Sequence, residues 1–158
     1  MKKNTRPVPE GLNTVTPYLT VRNCAQALEF YKKAFGAKEL GRMPFPDGRI
    51  AHSDIQIGNS RLFLCDEFPE MGNKSPETLG GTPINLLVYV DNVDSAFKIA
   101  TQAGAAPVEQ PKDMFWGDRW ATVRDPYGHT WNIATHVEDL TPEEMQKRGA
   151  EFFTQPQS

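Results

Sequence analysis

The chain writes one pattern twice, at an offset of about 69 residues. The first copy runs Tyr18-Leu19-Thr20-Val21-Arg22-Asn23, then a helix-patterned stretch from Cys24 to Phe35, then Gly36-Ala37. The second runs Leu87-Val88-Tyr89-Val90-Asp91-Asn92, then a helix-patterned stretch from Val93 to Ala103, then Gly104-Ala105. Each copy continues into two or three strand-like runs. Such a duplication predicts an α+β fold of two paired βαβββ modules, whose curled mixed sheets surround a shared cleft. A cleft between related modules suits a small molecule. With 158 residues the chain is long enough to bury a real interior. The duplication predicts the container and leaves its chemistry open.

Residues 1–13 are polar and Pro-rich and read as an N-terminal arm. The first module spans 14–66, a connecting loop 67–83, the second module 84–137, and a short helix with a tail 138–158. Val15 to Val21 alternates as a strand does, Asn23 is suited to cap a helix, and Gly36 to end it. Gly41 to Pro46 looks like a loop, and Asp47-Gly48 like a turn. Ile50 to Ile57 alternates again, and Gly58-Asn59 leads back into a strand from Arg61 to Asp66. The stretch Glu67 to Pro83 has Gly, Pro and polar residues without periodicity. Ile84 to Val90 opens the second half, and Phe97, Ile99 and Ala100 form the expected buried stripe of its helix. Trp120 to Arg124 and Thr130 to Val137 are its later strands, joined by the turn Asp125-Pro126-Tyr127-Gly128. Thr141-Pro142-Glu143-Glu144 has the form of a capping box opening a helix to about Arg148, with Phe152 and Phe153 in the tail beyond.

Charged residues at 23% and hydrophobic ones at 39% are ordinary for a globular protein in water. A formal net charge of -3 carries no nucleic-acid footprint. No run approaches the roughly 18 apolar residues of a membrane span, and the charged N-terminus has no apolar core behind it. The expectation is a cytoplasmic protein with neither nucleic acid nor membrane as partner. Cys24 and Cys65 lie far apart without metal-type spacing and read as free buried thiols.

Three stretches carry a family resemblance: Thr16-Pro17-Tyr18-Leu19-Thr20-Val21, Ala27-Leu28-Glu29-Phe30-Tyr31-Lys32-Lys33-Ala34-Phe35-Gly36, and Asp125-Pro126-Tyr127-Gly128-His129. Over Thr14 to Val137 the chain resembles the vicinal oxygen chelate superfamily of glyoxalases, bleomycin-resistance proteins and extradiol dioxygenases. Phe115-Trp116-Gly117-Asp118-Arg119 and Asp66-Glu67-Phe68-Pro69-Glu70-Met71 look like its PhnB-like branch. The resemblance implies a homodimer, with module pairing inside one chain or exchanged between two. It also implies metal positions on the first and last strands of each module. Carried over, these fall on Thr16, Phe63 (or Leu64), Asn85 and Asn132. None offers an imidazole or carboxylate, so no metal or other cofactor is expected.

His52 shares a strand face with Asp54 and Gln56, opposite Ile55 and Ile57. It reads either as a catalytic acid/base, given an ordinary pKa near 6.5, or as a strand histidine without a role. His136 shares a face with Asn132 and Ala134, and with His52, Asp54 and Cys65 it could make an unusual ligand set. His129 reads as a solvated turn residue. Trp116 and Arg119 would clamp a flat or anionic ligand, or else form a structural Arg119–Asp118 neighbourhood with Trp116 as a packed lid. Tyr18, Phe63, Leu87 and Tyr89 are the expected aromatic and apolar lining, with Thr16, His52, Asn85 and Asn132 as its polar groups. Three functions stay open: a binding protein holding a small organic molecule without metal, an enzyme using His52 or a metal on non-standard ligands, and an interaction protein with a filled cleft.

Overall fold

Asparagine and glycine set the limits of the long helix in each repeat. In the computed structural model, which describes residues 5–156, helix α1 (Cys24–Phe35) follows Asn23, whose side chain accepts from the Gln26 amide at 3.3 Å. Asn92 does the same for helix α3 (Val93–Ala103), accepting from Ser95 at 2.9 Å. Gly36 closes α1 at φ 64, a left-handed geometry that costs glycine little.

The first sheet contains β1 (Tyr18–Val21), β2 (Lys38–Pro44), β3 (Ile50–Ile57) and β4 (Ser60–Asp66), ordered β1-β4-β3-β2. The second contains β5 (Asn85–Tyr89), β6 (Ala106–Asp113), β7 (Asp118–Arg124) and β8 (Thr130–His136), ordered β5-β8-β7-β6. In each, the first strand runs parallel to the last, and the other pairings are antiparallel. The registers repeat as well. Tyr18 pairs with Phe63 as Leu87 pairs with Asn132, and Asp54 pairs with Phe63 as Thr122 pairs with Asn132. The fold is α+β, with two four-stranded mixed sheets and helices.

Two compact units result. One holds the described residues up to Pro83 together with Pro126–Gly128, and the other holds Ile84–Asp125 and the described residues from His129 onward. In the first, α1 buries Ala27, Leu28, Phe30 and Tyr31 over a sheet face made by Leu19, Val21, Ile55, Leu62 and Leu64. Tyr127 packs on Phe30 and Tyr31, with ring centroids 6.1 and 6.4 Å away. Burying a side chain such as Leu28 completely stabilises the fold by roughly 1.5–3 kcal/mol. The Asp66 carboxylate is buried there too, and it accepts from the Cys24 amide at 2.8 Å and the Ile50 amide at 2.6 Å. In the second unit, Val93, Phe97 and Ala100 of α3 are buried. Ile99, assigned above to that stripe, is half exposed and lies outside it.

Other expectations change as well. The stretch read as a loop from Gly41 to Pro46 is largely β2. Its bulges between Glu39 and Gly41 and between Met43 and Pro44 break the period-2 pattern that marks a strand. The connection 67–83 contains a 3₁₀ turn at Pro69–Met71 and a short helix α2 (Pro76–Leu79) capped by Ser75. The C-terminal helix α4 runs Pro142–Thr154, beyond the short span expected, so Phe152 and Phe153 are helical. Their rings meet Phe115 with centroids 5.1 and 5.8 Å away. Gly149 lets that face approach, since a Cβ there would lie 3.3 Å from the Phe115 ring. Residues 1–4 of the proposed arm and 157–158 of the tail lie outside the described residues.

Candidate functional site

On β1, Leu19 and Val21 point into the core beneath α1, so Tyr18 and Thr20 fall on the opposite face. Their β4 partners Phe63 and Cys65 share that face, and His52 joins them from β3. The Tyr18 hydroxyl and His52 Nδ1 are in hydrogen-bond contact at 2.8 Å. The rings of Tyr18, His52 and Phe63 meet edge to face, with centroids 4.6–5.5 Å apart. Asp54, farther along β3, is tied to Arg61 and is unavailable to His52 as a second carboxylate.

Beside this trio lies a cavity of about 510 Å³. Tyr18, Thr20, Ala51 and Cys65 line it from the sheet, and Phe45, Phe68, Met71 and Asn73 line it from the connecting segments. Asn73 gives it a fixed polar patch. Its Oδ1 accepts from the Thr20 hydroxyl at 2.7 Å, and its Nδ2 donates to Cys65 Sγ at 3.3 Å. The outer wall is pinned by Arg49, whose guanidinium lies 4.1 Å from the Phe68 ring centre and 5.5 Å from that of Phe45. Arg49 also pairs with Asp47 and Glu70 and donates to the Glu67 carbonyl at 3.1 Å. At the base of that segment, burial would raise the Glu67 pKa. Hydrogen bonds from Thr78, the Ser75 amide and Arg22 outweigh it and hold the carboxyl down to about 2. Partial burial, and then the neighbouring Cys65, push the Tyr18 phenol above its usual value.

The second unit gathers a different set. Tyr89 and Trp116 donate to Asp118 Oδ2 at 3.1 and 3.2 Å, and His136 Nδ1 lies 2.8 Å from Asp118 Oδ1. His136 Nε2 meets Asp139 at 2.8 Å, so both ring nitrogens face carboxylates and the imidazole pKa is raised, by Asp118 first and Asp139 second. Trp120 packs edge-on against Trp116. Asn132 is engaged within its own sheet, since the Thr122 hydroxyl lies 3.1 Å from its Oδ1 and 3.0 Å from a Glu109 carboxylate oxygen. Leu87 and Asn85 are exposed.

The proposed Trp116–Arg119 clamp does not form. Alternation along β7 carries Arg119 to the face away from Asp118, where it binds Asp94 through two nitrogens at 2.7 and 2.8 Å and Asp113 at 3.1 Å. That ion-pair corner also differs from the structural alternative, an Arg119–Asp118 neighbourhood, although Trp116 does pack on Trp120 and donate to Asp118. The Thr16 hydroxyl donates to the Asn13 carbonyl just before β1, outside the cavity lining. Of the lining read from sequence, the structure brings together Tyr18, Phe63 and His52, and only Tyr18 borders the cavity. Thr20, Phe45, Ala51, Cys65, Phe68, Met71 and Asn73 were missed. For Thr20 and Cys65 the signal was present, since both alternate in step with Tyr18 and Phe63.

The superfamily's metal fares poorly on this donor set. Thr16, Phe63, Asn85 and Asn132 offer no imidazole, thiolate or carboxylate, and Leu64 is buried on the helix side. Among the described residues no group of three or more His, Cys, Asp or Glu side chains is placed to hold a metal ion. These residues do not fit a divalent transition ion, and no chemical step is routed through one. Among the described residues, no helix is long and apolar enough to cross a membrane.

An uncharacterized protein of Mycobacterium bovis is 42% identical over 135 residues, covering 84% of this chain and 89% of that protein. The X-ray structure of a gene product of Arabidopsis thaliana matches at TM-score 0.64 and 27% identity, over 78% of this chain and 98% of that one. A PhnB protein from Bacillus cereus shares the fold at TM-score 0.60 and 14% identity, over 78% of this chain and 99% of that one. The sequence profile of the Glyoxalase/Bleomycin resistance protein/Dioxygenase superfamily matches residues 11–133, and the chain belongs to that superfamily.

Proposed function

We propose that this protein binds a small, flat, largely apolar organic molecule in the cavity of its first unit, without a divalent metal. One observation carries the reading: the cavity of about 510 Å³ has aromatic walls from Tyr18, Phe45 and Phe68 and one fixed polar patch at Thr20 and Asn73. A volume in the range of roughly 300–1,000 Å³, mostly apolar with few oriented polar groups, is what an organic ligand of modest size needs. The donor set at the superfamily's metal positions supports the metal-free form of the reading.

Anilinonaphthalene sulfonate, a flat fluorescent probe, tests it. The expected result is saturable micromolar binding of one probe per chain, unchanged after dialysis against EDTA. Ala51→Trp, which fills the cavity from β3, should abolish it. Absence of saturable binding, or binding unaffected by Ala51→Trp in a folded variant, would overturn the proposal.

A second reading, in which the bound molecule is also turned over, has the 2.8 Å Tyr18–His52 contact behind it. A phenol held on an imidazole beside a cavity is equipped to pass a proton. In this reading His52→Ala removes turnover while probe binding persists.

A further inference from the structure

Both cysteines are buried, but only one borders the cavity. Cys24 is fully buried in the first turn of α1, and burial pushes its thiol up to about 12, which leaves it inert at neutral pH. Cys65 lines the cavity instead. Its sulfur receives a hydrogen bond from Asn73 Nδ2 at 3.3 Å, and the Thr20 hydroxyl, 2.7 Å from Asn73 Oδ1, fixes that amide's orientation. That contact, with the Thr20 hydroxyl 3.9 Å from the sulfur, fixes where Sγ sits in the cavity wall. Tyr18 lines the same cavity, two residues before the Thr20 that pairs with Cys65, and its hydroxyl contacts His52. Thiol and phenol therefore share one wall of a cavity whose other walls are aromatic, and the imidazole backs the phenol. Neither the binding reading nor the His52 reading uses the sulfur.

We propose that Cys65 is a nucleophile that captures electron-poor alkenes, namely α,β-unsaturated carbonyl compounds bearing a flat apolar group, by conjugate addition within the cavity. The Sγ–Cβ bond forms as the alkene π bond breaks. The thiol proton passes by way of the Tyr18 hydroxyl to His52 and returns to the alkene's α-carbon. The product is a thioether with no leaving group and no change of oxidation state across the pair, so no co-reactant is needed. Asn73 acts as a positioning residue for the sulfur. The proposal rests on the cavity being a binding site for flat organic molecules.

The test uses the folded full chain and benzylideneacetone, with intact-mass and peptide-mapping mass spectrometry. One adduct per chain is expected, on Cys65 and not on Cys24, at a rate that saturates with probe concentration because binding precedes addition. Cys65→Ala should lose the adduct, with Cys24 still unmodified. Tyr18→Phe, which keeps the ring and the thiol, should slow addition by about a hundredfold, the lower end of what a positioned acid/base contributes. If the fluorescent probe binds and Cys65 stays unmodified, or reacts with no saturation and no response to Tyr18→Phe, capture is wrong and the cavity reading survives. If neither compound binds, both fall.

Discussion

Laid over one another by strand register, the two sheets agree on one face and disagree on the other. On the helix side, Leu19, Ser53, Ile55, Leu62 and Leu64 correspond to Val88, Ala121, Val123, Trp131 and Ile133. All are apolar or small, because each must fit beneath a capped helix. On the other side, Tyr18, Thr20, Asp54, Phe63 and Cys65 correspond to Leu87, Tyr89, Thr122, Asn132 and Ala134. There a charged Asp54 answers to Thr122, an aromatic Phe63 to Asn132 and a thiol at Cys65 to Ala134. The face that builds the fold has been held by packing, while the open face has been free to acquire separate chemistries. The first unit has a cavity with a thiol, and the second a carboxylate–imidazole cluster.

The largest expected effect tests the shared face. Leu64→Ala and Ile133→Ala occupy equivalent, fully buried positions, and each should cost about 2–5 kcal/mol in urea unfolding, the range for large-to-small core changes. A loss below about 1 kcal/mol in only one of them would break the equivalence of the two cores.

The open faces should separate by pH. Glu67 is depressed from 4.5 to about 2, so its contribution is present above 4.5 and is lost as acid takes the pH down through about 2. His136 is raised above 6.5, so its pairing with Asp118 and Asp139 contributes fully below 6.5 and is lost as pH climbs through the raised value. Melting temperature against pH should show both slopes, with Glu67→Gln reducing only the acid-side one, which Glu39, also held down to about 2, shares, and His136→Asn reducing only the neutral-to-basic one. If either variant flattens the other's window, the two units do not titrate separately.

The smallest effect concerns Arg119. Its partners Asp94 and Asp113 are largely exposed, so Arg119→Ala should lower the melting temperature marginally and leave anilinonaphthalene sulfonate affinity unchanged. A clear loss of probe affinity would return Arg119 to the ligand.

Helices α1 and α3 and strand β3 were legible with their limits, because an Asn cap, a Gly exit and a clean period-2 run are local signals. β6 was not, since Pro107 and Pro111 look like strand breakers. Its place at the edge of the sheet is what tolerates them. The candidate site was legible only where it lies on regular strands, as at Tyr18, His52 and Phe63. Phe45, Phe68, Met71 and Asn73 come from stretches without periodicity. What fixes them is long-range: Arg49 stacked on Phe68, Asn73 joined to Thr20 and Cys65, and Glu67 held by Arg22. Arg119 was misplaced for a different reason. Its partner Asp94 sits in the first turn of α3, 25 residues away in sequence.

The buried Asp66 has a consequence for how the first unit assembles. Its carboxylate takes the Cys24 amide across 42 residues of chain and the Ile50 amide across 16. The first turn of α1 is therefore written locally by Asn23 but finished only when β4 arrives. Closing so long a loop precedes the reward for it, which places helix completion and sheet closure in one late, cooperative event. Cys65, the neighbouring residue, is delivered to the cavity wall in that same event, so a partly folded first unit has no assembled thiol site.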